Sequence, residues 1–284
     1  MKLMSFATSQ GLGFGVVREG QVVDMSKRLG QTCPDLKSAI AQGLLPRIAA
    51  LSVDALPDYP LATVQALPVI ANPGKIFCVG LNYLAHRLEG QHAAVAKVPT
   101  IFLRLPESQV GNGAPMVCPR ESDQFDYEAE VAIVMGRTGR RIPEADALSY
   151  IAGISAYNDG SVRDWQSAAG QWAPGKNFPS TGSFGPWMVT PDELPPDRNL
   201  TLICRLNGQE MQRSTTDLMI FSIPRLIAYI STFSTLEPGD VIVTGTPGGV
   251  GMRREPPVWM RHGDVVEIEV EGVGVLRNPV VKEL

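Results

Sequence analysis

The chain has 284 residues, 44% of them hydrophobic and 19% charged, with a net charge of −4. These figures fit one large soluble domain, alone or with a small second one, and they exclude a disordered polyelectrolyte. The chain has no Lys/Arg cluster of the kind that binds nucleic acid, and no apolar run of about twenty residues that would cross a membrane.

The opening residues, Met1-Lys2-Leu3-Met4-Ser5-Phe6, carry one charge and no long apolar core. No signal peptide is expected, and the cytoplasm is the expected location. The four cysteines, Cys33, Cys78, Cys118 and Cys204, form no CxxC pair and read as buried thiols.

In chain order, residues 10–24 predict a β-hairpin. Two Val-rich runs flank Arg18-Glu19-Gly20-Gln21. Gly11, Gly13 and Gly15 lack the spacing and the following helix of a dinucleotide site. Residues 35–52 predict one helix, after which Pro57, Pro60, Pro68 and Pro73 break regularity. A boundary near residue 70 divides a small N-terminal α+β domain, 1–70, from a larger unit, 71–284. Lys75 to Gly80 predicts a short buried strand, Leu81 to Glu89 the start of a helix, and Thr100 to Arg104 another strand. Gly111-Asn112-Gly113 is a turn, residues 143–149 a short helical stretch, and Tyr150 to Asp159 a strand. Residues 161–190 are polar, Gly-rich and aromatic and predict an ordered loop serving a site.

Further on, residues 200–211 form a hairpin about Asn207-Gly208. Residues 217–234 predict a helix with Pro224 in a first turn or at a break. Asp240 to Thr244 is a strand running into the Gly-rich segment 245–251, and residues 264–276 form a final hairpin. Strands dominate, so the class is mainly β with a few helices.

The chemistry concentrates in Asp126-Tyr127-Glu128-Ala129-Glu130 and the apolar run to Gly136. Alternation along a strand points Glu128 and Glu130 the same way. Two close carboxylates repel, and a hard divalent cation offsets this: oxygen ligands suit Mg²⁺, Mn²⁺ or Ca²⁺. A solvated strand end is the plain alternative. Asp159 ends a strand in a turn; it is a turn-forming residue unless the fold brings it to the two glutamates. Three monodentate carboxylates would leave about three octahedral positions open, which makes a Lewis-acid site.

His86 and Glu89, at i and i+3, share a helix face, as a general base and its orienting carboxylate do; an exposed polar face is the alternative. Lys176 could hold a substrate carboxylate or an oxyanion, or simply be solvated. Thr246 lies in a Gly-rich turn whose N–H groups could cradle an anion. Three histidines are too few for a His-rich zinc site, and His86, Glu89 and His92 do not make HExxH. A Walker lysine and a GxSxG elbow are both absent.

Together these stretches resemble the fumarylacetoacetate hydrolase family from about Lys75 onward. The matching segments are Gly80-Leu81-Asn82-Tyr83 with His86 and Glu89, Asp126 to Glu130, and Tyr157-Asn158-Asp159 with Arg163-Asp164-Trp165-Gln166. Gly175-Lys176, Phe184 to Trp187, Thr244 to Gly251, and Gly263 to Pro279 continue the match.

The resemblance implies that Glu128, Glu130 and Asp159 bind Mg²⁺ or Mn²⁺ and that His86 with Glu89 activates water. It places Tyr83, Arg163, Gln166, Lys176 and Thr246 against substrate. It also implies a mixed β-sandwich roll, a homodimer, and a small N-terminal domain in front. Arg104 stands where many members have Lys, and the loop Asn177 to Ser183 departs from the common Asp-containing version. The expected activity is metal-dependent hydrolysis of a C–C bond in a 2,4-dioxo acid. Decarboxylation, hydration or isomerisation of a 2-oxo acid at the same site is the alternative, and a non-catalytic metal or oxo-acid binding protein a further one.

Overall fold

The structure, a computed structural model, describes residues 1–90 and 97–284; His92 lies outside the described residues. At its centre two β-rich runs, Ala129–Met135 and Ile151–Asn158, pair antiparallel and are buried along their whole length. Ala129, Val131, Ile133 and Met135 face one core cluster, while Ala132 and Val134 face another. Burial on both faces explains a nearly unbroken apolar run instead of an alternating one.

The sheet grows outward from this pair. On one side Val241–Val243 pairs antiparallel with Ala129–Met135, Ile76–Gly80 runs parallel to it, and Thr100–Arg104 follows. On the other side Gly182–Val189 pairs with Ile151–Asn158, and Lys2–Thr8 pairs with Gly182–Val189. Lys2–Thr8, Gly11–Arg18 and Gln21–Asp24 therefore extend the central sheet, which has twelve strands among the described residues. A second sheet has five: Gln209–Thr215, Thr201–Leu206, Val265–Val270, Gly274–Lys282 and Met116–Cys118. Its Leu202, Val266, Ile268 and Leu276 share a core with Val131 and Ile133 of the first. The fold is mainly β, as the sequence predicts.

Several elements differ from the sequence expectation. The helix predicted over 35–52 is two helices, Leu36–Ala41 and Leu45–Val53. Gly43 takes φ +66° between them, and Pro46 begins the second. Residues 161–190 are not one loop. They hold two short helices, Arg163–Ser167 and Ala173–Lys176, and the eight-residue strand Gly182–Val189. The helix predicted from 217 begins at Ile223, where Ser222 caps it and Pro224 sits in the first turn. Lys2–Thr8 is a strand that composition does not announce. All four cysteines are free and buried. No helix of the described residues is long and apolar enough to cross a membrane.

One buried amide ties the site's helix to the sheet. Asn82 Nδ2 donates to the carbonyls of Thr244 at 2.7 Å and Phe221 at 3.0 Å, and its Oδ1 accepts the Phe221 N–H at 2.8 Å. Asn82→Ala removes these bonds and leaves buried backbone groups unpaired, so a loss of about 2–4 kcal/mol is expected in urea unfolding. A change below about 1 kcal/mol would show that the amide is not a structural tie.

Candidate active site

Register brings three carboxylates together. Ala129 lies opposite Asn158, and the Asp159 N–H donates to the Glu128 carbonyl at 3.0 Å. Glu128 and Asp159 are thus neighbours across the central strand pair, with Glu130 two residues further on the same face. One oxygen from each of the three lies within 4.8 Å of the others, and all three residues are buried.

Cations surround them. Lys176 Nζ lies 2.6 Å from Glu128 Oε2 and 2.7 Å from Asp159 Oδ2, with its ammonium 5.0 Å over the Phe102 ring. Arg104 Nη1 donates to Asp159 Oδ1, and Nη2 donates to Thr181 Oγ1 at 2.9 Å. Arg163 Nε donates to Asp126 Oδ2 at 2.8 Å. Its Nη2 lies 2.8 Å from both Asp126 Oδ2 and Glu128 Oε1, in ion-pair contact rather than in aligned hydrogen bonds.

Four carboxylates therefore face three cations. Glu130 is the one without a side-chain cation in ion-pair reach among the described residues; its Oε2 accepts the Gly245 N–H instead. Gly245 sits at φ +106°, and a Cβ there would come 2.6 Å from Asn82 Cβ, so only glycine brings that N–H to the carboxylate.

The electrostatics separate the two glutamates. Burial alone would raise Glu128, but Arg163, then Lys176 and His86, hold it well below the usual carboxylate range. Burial, then the charges of Asp159 and Glu128, push Glu130 well above it. Burial likewise opposes the charge on Lys176, yet Asp159 and Glu128 keep it an ammonium. An all-oxygen set in which Glu130 has no cation partner and holds a proton that a metal can displace fits a hard divalent cation.

The predicted base stands at the same place. His86 Nδ1 lies 3.4 Å from Glu89 Oε2, and Glu89 Oε1 accepts the Gly249 N–H at 2.6 Å. The short helix Leu84–Glu89 is thereby fastened to the Gly-rich loop. Thr246 Oγ1, on that loop, accepts from Gln212 Nε2 at 2.9 Å.

His86, Glu128, Glu130, Asp159, Arg163, Gln166, Lys176 and Thr246 line one cavity of about 270 Å³. Glu89 stands behind His86. Tyr83, in contrast, is 2% exposed, is absent from the cavity wall, and its hydroxyl has no hydrogen-bond partner among the described residues.

Sequence reasoning gave Arg104 and Asp126 no role in the site. The signal for Arg104 is period-two alternation: Thr100, Phe102 and Arg104 share a strand face, and Phe102 lines the cavity. Asp126 sits two residues before Glu128 but on a separate short strand, Phe125–Asp126, so alternation along one strand does not find it.

Lys176→Met removes a buried cation from two carboxylates. Such a loss costs about 3–5 kcal/mol, and the lower end is expected because Arg163 and Arg104 remain. Urea unfolding in metal-free buffer measures it; an unchanged midpoint would show that the ammonium stabilises nothing.

A family model described as fumarylacetoacetate (FAA) hydrolase C-terminal matches residues 75–281. An oxaloacetate tautomerase, mitochondrial, of Rattus norvegicus is 44% identical over 227 residues, covering 80% of this chain and 72% of the relative. A mitochondrial oxaloacetate tautomerase of Homo sapiens is 41% identical over 256 residues, covering 87% and 81%.

Two solved structures cover the whole of both chains. 5-Carboxymethyl-2-hydroxymuconate delta-isomerase from Mycobacterium smegmatis is 34% identical, with a TM-score of 0.78. Maleylpyruvate hydrolase from Sphingobium sp. SYK-6, in complex with manganese(II) and pyruvate, is 28% identical, with a TM-score of 0.83. Since the match spans every strand that presents a site carboxylate, the chain belongs to the fumarylacetoacetate hydrolase family.

Proposed function

We propose that this enzyme is a keto–enol tautomerase of oxaloacetate-like 2-oxo acids, working with Mg²⁺ or Mn²⁺ held by Glu128, Glu130 and Asp159. The observation that carries the reading is the buried carboxylate triad, with Glu130 lacking a cation partner among the described residues, opening on the same cavity as His86. The relatives named oxaloacetate tautomerase, at 41–44% identity, support proton transfer over bond cleavage.

A bound divalent cation supplies a Lewis acid for the oxygens of the 2-oxo acid. The chain's own residues do the rest. Glu89 holds His86 at Nδ1, which leaves Nε2 to take a proton from the carbon beside the oxo group and to return one. Lys176 stays charged, and its ammonium, held by Glu128 and Asp159, stabilises through its field the oxygen on which negative charge develops. Gln166 and Thr246 orient the substrate from the cavity wall.

The His86–Glu89 pair favours a second reading. The same base turned on water would cleave an acylpyruvate, the hydrolysis expected from the sequence. A homodimer, on the family resemblance, and the cytoplasm, on the N-terminal residues and the buried free thiols, complete the proposal; the two relatives above are named mitochondrial.

Dissolving the enol form of oxaloacetate and following its absorbance decides between the readings. Decay should accelerate with enzyme and Mg²⁺ or Mn²⁺ and return to the enzyme-free rate on chelation. Without acceleration, pyruvate release from an acylpyruvate would establish hydrolysis instead. His86→Ala should lower turnover about 10²–10⁴-fold with the metal still bound by calorimetry; full activity would remove the base assignment.

The raised Glu130 carboxyl gives a pH signature. Metal-free native protein keeps a proton that the unfolded chain loses near its ordinary pKa of about 4.3. That stability is fully present below this pH and is lost as pH rises toward the raised value. Glu128, held low, acts only in more acid solution. Mn²⁺ should therefore raise the melting temperature more at about pH 8 than at about pH 5, and Glu130→Gln should flatten the difference. An equal metal effect at both pH values in the unaltered protein would contradict the proton account.

A further inference from the structure

Two adjacent arginines after the Gly-rich turn have different fates. Arg254 is consumed by the fold: its Nη2 donates to the Met211 carbonyl, and its Nε donates to the Tyr127 hydroxyl at 3.1 Å. Arg253 lies on the cavity wall, and its side chain has no hydrogen bond or ion pair among the described residues. The other arginine and the lysine on that wall, Arg163 and Lys176, are already held by Asp126, Glu128 and Asp159. Arg253 is thus the cation on the wall with no ion-pair partner among the described residues.

Its backbone is firmly placed. Gly251–Arg253 is a 3₁₀ turn in which the Arg253 N–H donates to the Val250 carbonyl at 3.2 Å. The buried carboxylate of Asp126 accepts the Gly251 N–H at 2.8 Å and the Met252 N–H at 3.0 Å. A Cβ at Gly251 would come 1.9 Å from the Val258 carbonyl oxygen, so the turn is seated directly on its neighbour. Asp126 is itself held by Arg163, which also contacts Glu128. The turn bearing Arg253 is therefore fixed relative to the carboxylate triad.

A fixed backbone and an exposed planar guanidinium with no hydrogen-bond or ion-pair partner among the described residues, on the wall of the cavity that holds the carboxylate triad, make a receptor for a carboxylate. We infer that Arg253 is the specificity-determining residue of this site, taking the second carboxylate of the substrate and so selecting dicarboxylic over monocarboxylic 2-oxo acids. The inference rests on the proposed 2-oxo acid reading and adds the far end of the substrate to it. Arg253 also adds positive charge to the wall of a cavity lined by Glu128, Glu130 and Asp159, where a dianion would otherwise meet repulsion.

Oxaloacetate and 2-oxobutanoate test it, since they differ by a carboxylate in place of a methyl group. Calorimetric titration of Mg²⁺-loaded wild type, Arg253→Lys and Arg253→Met gives the ratio of the two dissociation constants for each, and thermal unfolding checks that each variant is folded. A charge-assisted contact of this kind corresponds to about 10- to 100-fold in affinity. Wild type should prefer oxaloacetate by at least about tenfold, Arg253→Met should lose that preference, and Arg253→Lys should fall between, because an ammonium keeps the charge without the fork. An unchanged ratio in Arg253→Met, or no preference in wild type, overturns the role of Arg253 while the metal and oxo-acid reading stands. Wild type that binds neither ligand overturns both.

Discussion

One pairing register holds the site together. Because Ala129 lies opposite Asn158, Glu128 and Asp159 become cross-strand neighbours although 31 positions separate them in the chain. A slip of one residue would turn every side chain of that strand to the other face. Here the slip would carry Glu130 to the face packed in the apolar core of Ala129, Val131, Ile133 and Met135, away from the cavity. Core packing and site geometry are therefore one constraint: the residues that fix the strand also fix the carboxylates.

Burying four acidic groups costs several kcal/mol each unless they are compensated. Arg104, Arg163 and Lys176 supply most of the compensation, and each also makes a contact that orients its neighbours. The shortfall at Glu130 is what makes the cluster receptive. A fully neutralised cluster would be a structural ion network with no call for a metal, whereas this one keeps an acidic oxygen in the cavity at the expense of metal-free stability.

Much of this was legible in the sequence, where local chemistry and final environment agree. The Asn207-Gly208 turn joins its two strands with both residues at positive φ, as that dipeptide favours. The His86 and Glu89 spacing survives as a real contact. What local patterns missed was set by distant partners. Gly182–Val189 contains two glycines and a proline and has weak strand propensity; it is a strand because neighbours on both sides bury it and accept its ladder. Gly43 splits a helical pattern whose hydrophobic spacing alone reads as continuous. Arg104 meets Asp159 across 55 residues, a pairing that no local window contains.

The seam between Lys2–Thr8 and Gly182–Val189 bears on how such proteins can be recombined. The first seventy residues donate a strand to the same sheet that presents the acidic centre, through Lys2 opposite Val189 and Leu3 opposite Met188. Deleting them would bare ladder groups in mid-sheet and leave an adhesive margin open to other chains. Grafting a front segment from another family member onto this chain therefore demands a first strand of matching length and hydrophobic phase, whatever chemistry the graft was meant to bring.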